Sequence, residues 1–235
     1  WKIITAIGFL STFLYQAFFM YGMKWTAAGD ASLMITFNPL FTAILAVPFL
    51  GEKFDKRLGL GLLSAVCGVA VIAWYSPNVD LPVNERLLGD ALIAMSALSW
   101  ACTTILMKKA MTGENPMSPL HLTVWSSVVG LLIQTPAVIW EYSQVGPPTD
   151  ATFEGWAWLA FLAIFSTVLS YVWFADGIRV IGAGRSAMYV YLVPIFGILS
   201  GWLLLDEKLG LSLIASFILI VGGVYLAQSK QPSST

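Results

Sequence analysis

Ala28–Lys53 reads AGDASLMITFNPLFTAILAVPFLGEK, and Ala183–Lys208 reads AGRSAMYVYLVPIFGILSGWLLLDEK. The two stretches lie 155 positions apart and align without a gap: Ala28 on Ala183, Gly29 on Gly184, Pro39 on Pro194, Phe41 on Phe196, and Glu52–Lys53 on Glu207–Lys208. The register extends outward on both sides. Gly22 meets Gly177, Lys24 meets Arg179, and Val66, Gly68 and Val69 meet Val221, Gly223 and Val224. Each copy is a long apolar run with a proline near its middle and a charged pair at its end, which reads as a duplicated membrane segment.

Composition agrees with that class. The chain is 58% hydrophobic and 11% charged, with a mean hydropathy of +0.80, whereas a soluble domain carries roughly a quarter charged residues. The net charge of −1 is uninformative, and no basic cluster suggests nucleic-acid binding. Cys67 and Cys102 both fall inside apolar runs and read as small packing residues. With His121 as the single histidine, neither a metal site nor a cofactor is expected.

Eight runs are long enough for a helix to cross the bilayer: 3–23, 31–50, 58–75, 88–107, 119–140, 156–175, 186–205 and 209–227. Continuous apolar runs without strict alternation exclude a barrel, which leaves an all-α polytopic membrane protein. Residues 1–76 form a first repeat unit, 77–87 a polar, proline-bearing linker, 88–228 a second unit and 229–235 a polar tail. If the first run leaves the cytoplasm, the inner side holds Lys2, Lys53, Lys56, Arg57, Lys108, Lys109, Arg179, Arg185 and Lys230, and the outer side only Lys24, Arg86 and Lys208. Both termini of the multi-pass chain are then expected in the cytoplasm.

Runs one to three correspond to runs six to eight, an offset of five crossings. An odd offset makes the copies point in opposite directions, an inverted-topology repeat suited to alternating access. Runs four and five have no upstream counterpart, and the chain opens on Trp1. The expectation is that one or two helices' worth of sequence, about 70 residues by the repeat offset, precedes it in a ten-helix bundle of five plus five.

The pattern of Gly22, Ala28, Pro39, Glu52 and Gly68, echoed by Gly177, Ala183, Pro194, Glu207 and Gly223, resembles the EamA-type domain, duplicated in ten-helix exporters of the drug/metabolite transporter superfamily. The resemblance implies export of small metabolites, often amino acids, by alternating access across the inner membrane. It leaves the particular substrate open.

Polar and aromatic residues in mid-membrane are costly unless they face a cavity or a partner. Gln16 coincides with Tyr171 under the offset and Phe19 with Phe174; Met34 and Asn38 share a face, with counterparts Tyr189 and Val193. Ser96, Trp100 and Thr103 fall on one stripe. Gln16, Phe19, Asn38, Trp100, Thr103, Tyr171 and Tyr189 are therefore the candidate substrate-path residues, each set against the plainer reading of interhelical packing. Pro39 and Pro194 read as paired hinges or static kinks. Glu52 and Glu207, at helix junctions, read as caps, with gating the sharper alternative. Thr123, Ser127, Gly130 and Gln134 form a packing stripe, as do Gly59, Gly61, Ala65 and Gly68 with Ala215, Ser216, Gly222 and Gly223. Such helices admit a monomer or a homodimer. Asp176 and Arg179 are expected to pair at the interface, and no acidic residue is read as lying deep inside a run. Without paired intramembrane carboxylates or histidines, an enzyme is not expected; a non-transporting sensor or scaffold, or a carrier of nucleotide-type metabolites or organic cations, is the alternative.

Overall fold

The computed structural model describes residues 1–51, 56–75, 82–112, 116–146, 152–170, 173 and 192–228. Glu52, Tyr171, Tyr189, Asp176 and Arg179 lie outside these residues, as do Phe174, much of the predicted linker and the tail. All the described regular structure is helical: α1 (Lys2–Gly8), continued by a π-helical stretch (Phe9–Leu14) into α2 (Tyr15–Gly22), then α3 (Ala28–Ile35), α4 (Phe37–Leu50), α5 (Lys56–Tyr75), α6 (Val83–Thr112), α7 (Pro119–Val145), α8 (Phe153–Phe161) with a second π-helical stretch (Leu162–Leu169), α9 (Leu192–Leu205) and α10 (Leu211–Gln228).

The starts follow local chemistry. Ser118 accepts from the His121 amide at 3.3 Å, with Pro119 in the first turn of α7, and Thr152 accepts from the Gly155 amide at 3.2 Å to open α8. Both satisfy amides that a helix start leaves without partners. α6 begins before the predicted 88, because Pro82 O takes the Glu85 and Arg86 amides. α3 and α4 are separated at Thr36. Pro39 follows that break by three residues, within the single apolar span Ala28–Phe49, and a proline loosens the turn ahead of it; Pro194 is the third residue described in α9, and the turn before it lies outside the described residues.

Solvation is inverted relative to a soluble core. Ser96, Ser99, Thr103, Ser126 and Ser216 are buried, whereas Trp140, Trp156, Leu203, Leu204 and Leu211 are exposed. Four rods are long and apolar enough to span a membrane, Lys2–Gly22, Ala28–Phe49, Asn84–Met111 and Pro119–Val145. Shorter apolar helices, Gly59–Val71, Phe153–Ser166, Leu192–Leu205 and Leu211–Leu226, occupy the remaining predicted runs.

α5 packs along α10, the π stretch with α1 and α2 against α6 and α7, α4 against α6, and α3 against α9. The α5–α10 contact is antiparallel and reciprocal. A Cβ built on Gly68 would lie 3.1 Å from Leu219 Cβ, and one built on Gly223 would lie 2.9 Å from Ser64 Cβ. Residues 68 and 223 are repeat mates, and so are 64 and 219, so the two contacts are one contact seen twice. Of the stripes expected there, Gly61, Ala65, Gly68, Ser216 and Gly223 are buried within this pair, while Ala215 and Gly222 face outward. On α7 the buried face is Leu122, Ser126 and Gly130. Thr123, Ser127 and Gln134 of the expected stripe lie beside it, and Gly130 is the position where α7 closes on Gly8 and Thr12.

Candidate functional site

The π-helical stretches occupy equivalent places: Phe9–Leu14 falls on 164–169 under the offset, inside Leu162–Leu169. A π turn widens the backbone and redirects carbonyls. Here Leu10 O accepts the Tyr15 amide and also the Ser99 hydroxyl of α6 at 2.8 Å, which fixes the distorted turn against that helix.

Beyond the turn, the Tyr15 ring lies 5.5 Å from Trp100 and stacks 6.0 Å from Phe19. Phe19 reaches the core of Met34, Phe37, Ile93 and Ala97. Aromatic pairs at these separations and angles attract through their quadrupoles. Tyr15 was missed in the sequence, although it and Phe19 form an i, i+4 aromatic pair in a run otherwise read for Gln16.

The other candidates are placed as follows. Gln16 is exposed; Asn38 is half-buried, with the Thr42 hydroxyl donating to its carbonyl at 2.9 Å and approaching its side-chain oxygen at 3.2 Å. Thr103 is buried and donates to Ser99 O of its own helix at 3.1 Å, so its hydroxyl is spent on backbone rather than offered to a cavity. Phe19 and Trp100 are brought together through Tyr15, and Asn38 belongs to α4, which packs on the same helix α6.

Two carboxylates are buried at the ends of apolar runs rather than deep inside one. Asp90 is 3% exposed and accepts from Thr26 Oγ1 at 2.8 Å. Asp30, in the first turn of α3, is 2% exposed. Glu207 joins the same end of the bundle. Its Oε1 accepts from the Ala28 amide at 2.7 Å and its Oε2 from the Gly29 amide at 3.1 Å. It therefore caps α3, from the other repeat, rather than the helix that follows it in sequence. Asp206, just before it, has φ 54°, and its repeat mate Gly51 has φ 73°, so the two repeats leave corresponding helices through the same left-handed turn.

Residues 1–74 and 87–228 match the model of the EamA-like transporter family. The chain belongs to that family. It is 25% identical over 228 residues to the uncharacterised transporter YetK of Bacillus subtilis, covering 96% of this chain and 68% of YetK. It is 30% identical to the uncharacterised transporter YvbV of the same organism, covering 98% of this chain and 72% of YvbV. It is 29% identical to a probable amino-acid metabolite efflux pump of Escherichia coli, covering 85% of this chain and 67% of the pump. One solved crystal structure shares the fold, with a TM-score of 0.61 and 17% identity over 95% of this chain and 75% of that one. This EamA-like protein is thus a multi-pass, all-α membrane protein of a transporter family, not an enzyme.

Proposed function

We propose that the protein is a secondary transporter that exports small metabolites, amino acids or related compounds, across the inner membrane by alternating access, with both termini cytoplasmic. The observation that carries this reading is the reciprocal, antiparallel contact of α5 with α10. Two repeat units related in this way can exchange conformations and so open a central path first to one side, then to the other. The Escherichia coli relative named a probable amino-acid metabolite efflux pump supports the substrate class.

In this reading Tyr15, Phe19 and Trp100 enclose an apolar part of the substrate, and Gln16 and Asn38 orient its polar atoms, with Thr103 behind them. Tyr171 and Tyr189 complete the path, Pro39 and Pro194 mark where helices yield, and Glu52 and Glu207 act at the junctions. The test is counterflow in proteoliposomes preloaded in turn with amino acids, nucleosides, sugars and organic cations. Transient accumulation of labelled amino acid is the expected result. Silence across the panel from folded protein would move the reading to a sensor or scaffold.

A further inference from the structure

Helix α3 starts without a side-chain cap of its own: Ala27 holds the capping position, and its side chain supplies no acceptor. Its first amides are satisfied across the molecule instead, by Glu207, which lies 179 and 178 residues from Ala28 and Gly29. The carboxylate sits between two glycines. A Cβ on Gly29 would lie 3.1 Å from Oε2, and a Cβ on Gly201 would lie 2.8 Å from the carboxylate carbon. Gly197 is packed just as closely on Ser32, one turn along α3. The seam between α3 and α9 is thus cut to admit one carboxylate at its mouth and nothing larger further in. The cradle is only partly duplicated in sequence: Glu207 and Gly29 have the mates Glu52 and Gly184, but the mate of Gly201 is Ala46, which is buried.

We infer that Glu207 is a latch: it holds α3 of one repeat against α9 of the other, closes the bundle at this end, and lets go when the path opens there. The inference rests on the alternating-access reading above. Charge-assisted bonds to free helix amides hold the closed form. Glu207 is only half-buried, so water can take over both partners once the helices part, and release leaves no orphaned group. A cap fixed within one helix could not report on the distance between repeats; this one is broken by their separation. By the distribution of lysine and arginine, this end is the outer one.

The test uses the full-length protein in right-side-out vesicles, with Cys67 and Cys102 replaced by alanine and Ser32→Cys as reporter. Ser32 is buried one turn inside the latch, so a membrane-impermeant maleimide reaches it only when α3 and α9 part. Glu207→Gln removes the charge. Gly201→Ala keeps the carboxylate but fills its seat. Both are expected to raise the labelling rate about tenfold or more, the scale set by losing charge-assisted bonds. Gly222→Ala, whose Cβ would meet no described residue within 4 Å, is expected to leave the rate unchanged. Equal labelling in all four proteins, with melting temperatures intact, overturns the latch whatever the counterflow result. Raised labelling in a protein that shows no counterflow upholds the latch and overturns the transport reading.

Discussion

Ser64 Oγ on α5 donates to Leu219 O on α10 at 2.8 Å, and Leu219 is the repeat mate of Ser64. A residue bonded to its own counterpart lies at the axis that relates the two copies, as in a two-fold dimer interface. The glycines Gly68 and Gly223 flank that bond and let the backbones close on it. Small residues at a helix crossing supply packing that lipid cannot, since the lipid tails are as apolar as leucine.

Gly68→Ala is therefore expected to destabilise the fold by about 1–3 kcal/mol through overpacking. Its Cβ would lie 2.6 Å from Ile220 Cγ1 and 3.1 Å from Leu219 Cβ. Gly222→Ala, one residue from the seam and open, is expected to be neutral. Thermal unfolding in detergent, followed by the fluorescence of a thiol-reactive dye, compares the two; equal midpoints would remove the axis from this contact.

A different mechanism governs Gly51. No described residue lies within 4 Å of its built Cβ, but its φ of 73° is left-handed. Gly51→Ala is expected to cost about 1 kcal/mol from backbone strain alone, and Gly51→Asn to recover most of it, because asparagine tolerates that region. The repeat mate Asp206 already carries a side chain there at φ 54°. If alanine and asparagine at 51 unfold at the same temperature as glycine, the turn is not held in that conformation.

The repeat was legible because a duplicated helix keeps its face: Gly68 and Gly223 stayed small where the copies cross, and the offset could be counted. The all-α membrane class followed from run length alone. What stayed hidden depends on partners distant in sequence or on backbone shape. Glu207 reads locally as the cap of the next helix, and only the fold brings Ala28 to it. The π turns at Phe9–Leu14 and Leu162–Leu169 have no residue signature. On α7 the packing stripe was placed one residue off because Thr123 and Ser127 look as small as Ser126, and only Gly8 decides among them. Pro39 is the visible breaker, but the sequence does not show that the helix parts at Thr36, in the turn ahead of the proline, where the Thr36 amide bonds Leu33 O.

Asp90 and Thr26 join α6 to the connection before α3 through a buried hydrogen bond of 2.8 Å. Thr26→Val keeps the shape and removes the donor, and is expected to cost about 1–3 kcal/mol, the penalty for a buried acceptor that loses this donor. Asp90→Asn retains an acceptor oxygen and is expected to cost less. In the double variant the costs should fall well short of their sum, since both act on one bond. Additive losses, measured by the same unfolding assay, would mean that the bond does not contribute.

Gln16 and Trp100 separate stability from transport. Gln16 is exposed and Trp100 half-buried against Tyr15. Replacing an exposed glutamine away from any cap or core contact changes stability by about 0.5 kcal/mol or less, so Gln16→Leu is expected to leave the melting temperature in place. If Gln16 orients the substrate, its loss removes a hydrogen bond inside the path, and counterflow is expected to fall about tenfold or more. Trp100→Leu loses the ring contact with Tyr15, worth about 0.5–1.5 kcal/mol beyond its area, and is expected to lower both readouts. Trp100→Phe keeps a ring of similar reach and is expected to restore stability first. Transport by Gln16→Leu at the parent rate, with Trp100→Leu impaired only in proportion to its lost stability, would take both residues off the substrate path and leave them as packing.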